Sequence, residues 1–150
     1  MGSWRTLIGH APHGPDMGVE YVRRAREPAI SVVVPSVPAY DHEPTMAQLE
    51  AQALDVPYEI VLVDDGSVDR STARNRGLEA ASAELVAMTD DDTRPPEDWL
   101  AAAYAAFDAD PDLVCLEGPV CGGCRSFGPR HYVGCNLAAR RAAALDVGGF

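Results

Sequence analysis

Four apolar residues, Leu85-Val86-Ala87-Met88, stop at Thr89 and three consecutive carboxylates, Asp90, Asp91 and Asp92. So short an apolar run, bounded by polar residues, fits a buried strand of a parallel sheet. Its acidic end then falls at the carboxyl edge of the sheet, where open α/β folds bind their ligands. Side chains alternate along an extended chain, so Asp90 and Asp92 are expected on one side and Asp91 on the other. Two carboxylates converging on one spot repel each other unless a cation lies between them. Hard oxygen donors suit Mg²⁺ or Mn²⁺, ions that usually arrive with a substrate's phosphates. The plainer alternative is a solvated acidic turn capping the next helix.

Two earlier runs repeat the pattern. Ile30-Ser31-Val32-Val33-Val34 is β-branched and closes at Pro35-Ser36, and Glu59-Ile60-Val61-Leu62-Val63 runs into Asp64-Asp65-Gly66-Ser67. Between them Thr45-x-x-Gln48 reads as a capping box, with Met46, Leu49 and Ala53 as the apolar stripe of a helix that ends before Pro57. A second helix is expected over 71–82, with Arg74, Asn75 and Arg76 in its first half and Gly77 weakening it midway. Pro96 suits the first turn of a third helix, Glu97 and Asp98 complement its dipole, and Trp99, Leu100, Ala103 and Phe107 form its buried side. A short strand at 113–116, a Gly-, Pro- and Cys-rich loop, another short strand and a helix through 142–145 complete the chain, stopped by Gly148-Gly149. Strand-helix-strand alternation predicts right-handed βαβ units, hence a three-layer α/β domain with a mostly parallel sheet over 29–150. Residues 1–28 lack sustained periodicity and read as a flexible leader ending in one basic helical turn at Tyr21 to Arg26.

Composition narrows the chemistry. A length of 150 residues allows one domain with its own core. The formal charge of −11 argues against nucleic acid as a partner and favours cation binding. All twelve basic residues are arginine, so P-loop nucleotide binding and Schiff-base chemistry are excluded for want of lysine. Phosphate contacts must come from arginine, backbone amides or a metal. The apolar run Leu100 to Phe107 is eight residues, far short of a membrane span. No basic-then-apolar signal opens the chain, so the expected compartment is the cytoplasm, free or peripheral to the membrane. Cys121-x-x-Cys124 resembles half of a zinc site, with Cys115, Cys135 and His131 as possible completing ligands. The spacings do not form two matched pairs, and reduced thiols without stoichiometric zinc are the expectation.

In a parallel sheet the ends at Pro35-Ser36, Asp64-Asp65 and Asp90-Asp91-Asp92 lie side by side, and one crevice collects them. Carboxylates, nearby arginine and no lysine suit a nucleotide diphosphate held through a metal, with carboxylates also accepting from base N–H or ribose hydroxyls.

The ordered motifs Val32-Val33-Val34-Pro35, Glu59 to Ser67, Ala73-Arg74-Asn75-Arg76-Gly77-Leu78, and Thr89-Asp90-Asp91-Asp92 followed by Pro95-Pro96-Glu97-Asp98-Trp99-Leu100 resemble family 2 glycosyltransferases with the GT-A fold. Gly134-Cys135-Asn136-Leu137-Ala138-Ala139-Arg140-Arg141 and Val147-Gly148-Gly149-Phe150 resemble that family's later segment. The resemblance covers about residues 29 to 150. It implies transfer of a sugar from a nucleotide-diphosphate sugar to a glycan, lipid or small-molecule acceptor, usually with inversion. It implies that Asp64 or Asp65 contacts the base and that Asp90 and Asp92, as a D-x-D motif, contact the ribose and the metal-bound diphosphate. It also implies that Arg74 faces the nucleotide. The candidate substrate-binding set is therefore Pro35, Asp64, Asp65, Arg74, Asp90 and Asp91, with Asp90 and Asp92 as ligands of Mn²⁺ or Mg²⁺.

Departures from the family pattern set further expectations. The loop after Pro35 carries Ser36-Val37-Pro38-Ala39-Tyr40-Asp41 where a Tyr-Asn pair is usual. Five residues link Ser67 to Ala73 where the family inserts another helix and an edge strand. The Glu-Asp pair holding the family's catalytic base has no counterpart up to Phe150, so the domain is expected to be truncated, to bind a donor and to transfer little. A non-catalytic nucleotide-binding remnant is the alternative. A haloacid-dehalogenase-type phosphatase and a receiver domain both need a lysine, and a sugar nucleotidyltransferase needs a Gly-rich basic loop after the first strand.

Overall fold

The computed structural model describes residues 18–37, 39, 41–120 and 134–150. The elements are β1 (Val19–Arg23), β2 (Ile30–Ser36), α1 (Glu43–Glu50), β3 (Tyr58–Asp64), α2 (Arg70–Ala80), β4 (Leu85–Met88), α3 (Trp99–Ala109), β5 (Cys115–Glu117), β6 (Leu137–Arg140) and α4 (Arg141–Asp146). One six-stranded sheet has the order β1-β3-β2-β4-β6-β5. Its centre is parallel, with β2 paired to β3 and to β4. Both flanks are antiparallel, β1 on β3 and then β6 on β4 and β5 on β6, so the parallel order holds for the three central strands and the sheet as a whole is mixed.

The three layers follow from the alternation of side chains along the strands. Val32, Val34, Ile60, Leu62, Leu85 and Ala87 face α1 and α3, where Leu49, Leu100 and Phe107 close the core. Val33, Val61, Val63, Val86 and Met88 face the other way onto Ala73 and Leu78 of α2, with Ala144 of α4 beside them. Both faces are covered, which is why the central strands read as unbroken apolar runs.

The segment before residue 29 departs from expectation. Val19–Arg23 is an antiparallel strand on β3, not a basic helical turn. Alternate residues explain it: Val19 and Tyr21 pack on the α2 face, Val22 packs on the other, and the Tyr21 hydroxyl donates to Ala80 O at 2.8 Å. The strand covers the outer edge of β3, the sheet edge that the short Ser67–Ala73 link would otherwise leave open. The first 17 residues of the leader expected over 1–28 lie outside the described residues.

Two helix starts also differ. α1 begins at Glu43, and Thr45, read as its cap, is a buried residue inside the helix. α3 begins at Trp99, three residues beyond Pro96, because Trp99 N–H first closes a turn on Pro96 O at 3.1 Å. The next orphan amide, Leu100 N–H, is then taken by Gln52 Oε1 at 2.9 Å, so the helix needs no cap of its own.

Candidate functional site

Register brings the polar strand ends together. Ser36 pairs with Asp64 across β2 and β3, and Val33 pairs with Met88 across β2 and β4, so Asp64 and Asp90 emerge at one edge. β2 outruns β4 there: Thr89 N–H bonds Val33 O at 3.3 Å, and the last β2–β4 pair is Val33 with Met88. Pro35 lies beyond that pair, where its missing N–H breaks no ladder with β4. It is buried and in register with Val63, so it shapes the edge from within.

The acidic residues occupy distinct environments. Asp64 is exposed, and its amide bonds Gly18 O at 2.8 Å. Asp65 is folded back on its own loop: Oδ1 accepts from the Ser67 amide at 2.9 Å and the Ser67 hydroxyl at 2.5 Å, and Arg76 pairs with Oδ2. Those bonds, led by the Ser67 hydroxyl, hold its pKa down to about 2. Asp90 carries two guanidinium partners, Arg74 at 2.7 Å and Arg70 at 3.2 Å. Arg70 and Arg74 are one helical turn apart and share a face of α2. Asp69 orients that helix by accepting from Thr72 N–H at 3.0 Å at its N-cap.

Asp91 is fully buried, Asp90 keeps partial solvent access and Asp92 is exposed. The chain turns here instead of continuing as strand. Asp91 Oδ2 accepts from Val37 N–H at 2.9 Å, pinning the loop that follows β2, and Oδ1 has no hydrogen-bond partner among the described residues. Asp91 therefore holds the edge together from inside rather than presenting a carboxylate to the crevice.

Gly134 brings the last loop to the same edge. A β-carbon there would lie 2.8 Å from the Arg74 guanidinium carbon, so the loop packs closely over the end of that side chain. The adjacent Cys135 thiol is pushed up by burial and by the nearby Asp90 and Asp92 carboxylates. Asn136 then ties the loop to α3, accepting from Trp99 Nε1 at 2.8 Å and donating to Pro119 O at 2.8 Å. Cys121, Cys124 and His131, the remaining candidates for a zinc site, lie outside the described residues.

No group of three His, Cys, Asp or Glu side chains converges among the described residues. A protein-only metal cage is thus not built there, but Mg²⁺ and similar ions are commonly held by one or two carboxylates plus substrate phosphates. Asp92, exposed and outside the ion pairs among the described residues, together with Asp90 fits that second kind of site. A cavity of about 370 Å³ lined by Pro28, Glu84, Leu85, Tyr104, Phe107 and Arg140 opens at the opposite edge of the sheet. Its guanidinium is spent on Glu84 at 2.6 Å and on Leu113 O and Pro111 O, so it leaves no charge for a phosphate.

Sequence reasoning missed Arg70 and Gln52 and gave Thr45 only a capping role. Arg70 was findable from its i, i+4 spacing to Arg74. Thr45, Leu49 and Gln52 at i, i+4 and i+7 mark one inward stripe that carries two polar residues.

A mixed three-layer fold whose parallel centre delivers carboxylates and arginines to one edge is the GT-A class. The chain matches the glycosyl transferase family 2 model over residues 70–146 and belongs to that family. It is 26% identical over 162 aligned positions to a glucosyl-dolichyl phosphate glucuronosyltransferase of Haloferax volcanii, covering 83% of this chain and 52% of that protein. A mannosyltransferase from Pyrobaculum calidifontis, solved with GDP-Man and Mn²⁺, superposes with a TM-score of 0.62 at 19% identity, over 83% of this chain and 48% of that one. Residues 1–349 of S. aureus TarS, solved with UDP-GlcNAc, superpose with a TM-score of 0.58 at 21% identity, over 79% of this chain and 47% of that one. The chain spans about half the length of the relatives it matches. Among the described residues no helix is long and apolar enough to cross a membrane.

Proposed function

We propose that the acidic edge binds the nucleotide-diphosphate end of a sugar donor, and that the protein transfers the sugar to an acceptor hydroxyl with inversion. The observation that carries this reading is the register that brings Asp64 and Asp90 to one edge, with Arg70 and Arg74 of α2 on the Asp90 carboxylate. Asp64 is exposed and so is the carboxylate available to a base N–H, whereas Asp65 is engaged by Ser67 and Arg76. Asp90 meets the ribose, and Arg70 and Arg74 turn from it toward the diphosphate oxygens. Asp92, with Asp90, would hold Mn²⁺ or Mg²⁺. When bound, the cation stabilises charge that develops on the departing diphosphate as a Lewis acid. The GDP-Man, Mn²⁺ and UDP-GlcNAc named with the superposed structures support a nucleotide-sugar donor and a divalent ion. The name of the Haloferax volcanii relative favours a lipid-linked sugar among the possible acceptors.

Thermal-shift measurement with UDP-, GDP- and dTDP-sugars, each with and without Mn²⁺, tests the donor reading. One nucleotide-sugar should raise the unfolding midpoint, and more so with Mn²⁺. Stabilisation by none of them would overturn it.

A further inference from the structure

Thr45 is fully buried in the first turn of α1, yet its hydroxyl serves a different segment of the chain. It lies 2.7 Å from Asp91 O and 2.8 Å from Thr93 O, so its one proton is shared between two carbonyls of the acidic turn. Arg94 Nη1 donates to the same hydroxyl at 3.2 Å and to Thr93 O at 2.7 Å. The turn is closed on itself as well, by the Thr93 hydroxyl donating to Asp90 O at 2.9 Å. Further along α1's exit, Gln52 Nε2 donates to Pro96 O at 2.7 Å, and Ala53 N–H bonds Glu97 O at 2.7 Å. α1 therefore splints the whole segment from Asp91 to Leu100, and Thr45 is the pin nearest the carboxylates.

We propose that Thr45 is a positioning residue for the acidic turn: by gripping the backbone on both sides of Asp92, its hydroxyl sets the direction in which that exposed carboxylate stands. This rests on the reading of Asp92 as a ligand to a diphosphate-bound divalent cation. A carboxylate on an unpinned turn must be ordered at the moment of binding, which weakens the metal-linked part of the affinity. The contact of Asp64 to the base, made from another strand end, and those of Arg70 and Arg74, made from α2, do not depend on the pin. The role is therefore separable from stability: loss of the hydroxyl lowers the Mn²⁺-dependent gain in affinity and leaves metal-free binding in place.

The test compares Thr45→Val, which keeps the shape and removes the hydroxyl, with Thr45→Ser, which keeps the hydroxyl. Calorimetry measures UDP and GDP affinity with and without Mn²⁺. Backbone amide exchange follows residues 89–94 in the same proteins. Thr45→Val should lose about tenfold of the Mn²⁺-dependent gain, with metal-free affinity within about twofold of the parent, and Thr45→Ser should restore the gain. Exchange should quicken at 89–94 in Thr45→Val and not in Thr45→Ser. An undiminished Mn²⁺ gain in Thr45→Val, or an equal loss with and without metal, would overturn the proposal. If the parent protein itself shows no Mn²⁺ gain, the metal reading fails, and the pin is judged by exchange alone: unchanged rates at 89–94 overturn it. Should Thr45→Val not fold, Thr45→Ala replaces it.

Discussion

Arg74 meets Asp90 at 2.7 Å with both side chains largely shielded, at 14% and 17% exposure, so the carboxylate that follows the central strand is neutralised by the protein's own α2. Arg70 adds a second contact at 3.2 Å from a more exposed position. Arg74 Nε is buried and has no hydrogen-bond partner among the described residues, which leaves one donor of this guanidinium unspent. A diphosphate arriving at the edge would compete with Asp90 for the guanidinium.

Arg74→Met should therefore weaken UDP or GDP binding about tenfold or more, the equivalent of a charge-assisted contact of ~1.5–3 kcal/mol. Uridine or guanosine, which lack the diphosphate, should bind as they do to the parent. Calorimetry with nucleotide and nucleoside side by side checks this, and equal losses for both would show that Arg74 only holds the fold.

Asp92→Asn should remove most of any Mn²⁺-dependent gain in nucleotide affinity while leaving the unfolding midpoint nearly unchanged. The residue is exposed and joins none of the described ion pairs, so its loss costs the fold little. Titration of the nucleotide with and without Mn²⁺ reads the difference. A variant that keeps the full gain would move the metal ligand elsewhere.

The carboxyl edge was legible because three apolar runs each stop at polar residues, and parallel pairing then aligns Ser36, Asp64 and Asp90 without further information. Side-chain loyalties were not. Alternation set Asp91 apart from Asp92, but both stood as ligand candidates, and one bonds Val37 N–H inside the protein while the other faces solvent. Thr45 followed by Gln48 fits a capping box, but the helix begins two residues earlier and the Thr45 hydroxyl donates to the buried carbonyls of Asp91 and Thr93. Val19–Arg23 gave no signal as a strand because Glu20 interrupts its apolar residues and Arg23 closes it. An edge strand with one flank in water tolerates both.

Gly77→Ala is expected to destabilise the protein although alanine is the better helix former. Removing a mid-helix glycine gains about 1 kcal/mol of propensity. At Gly77, however, a β-carbon would run into Val33 Cγ1. Val33 is fully buried in the central strand and cannot step aside without moving β2. Overpacking of that kind costs about 1–3 kcal/mol, so the steric term should prevail. Urea denaturation should show a lower midpoint, and a raised one would mean that α2 does not sit this close to the sheet.

Asp65 offers a prediction about acid. The Ser67 hydroxyl and amide, then Arg76, stabilise its charged form and hold its pKa near 2, against an unfolded value of ~3.9. A depressed carboxylate contributes stability that is present above the unfolded pKa and is lost as pH falls through the folded one. The contribution of Asp65 is thus complete above about pH 4 and should disappear as pH falls toward about 2. Carboxyl-carbon NMR should find Asp65 titrating near the bottom of that window, well below an ordinary aspartate. Ser67→Ala removes the largest cause and should bring the midpoint up toward the ordinary range, and Arg76→Gln should move it less, because Arg76 is the smaller cause. An Asp65 that titrates near 4 in the parent, or that is unmoved by Ser67→Ala, would mean that this loop does not close on its own serine and that Asp65, like Asp64, stands free for a ligand.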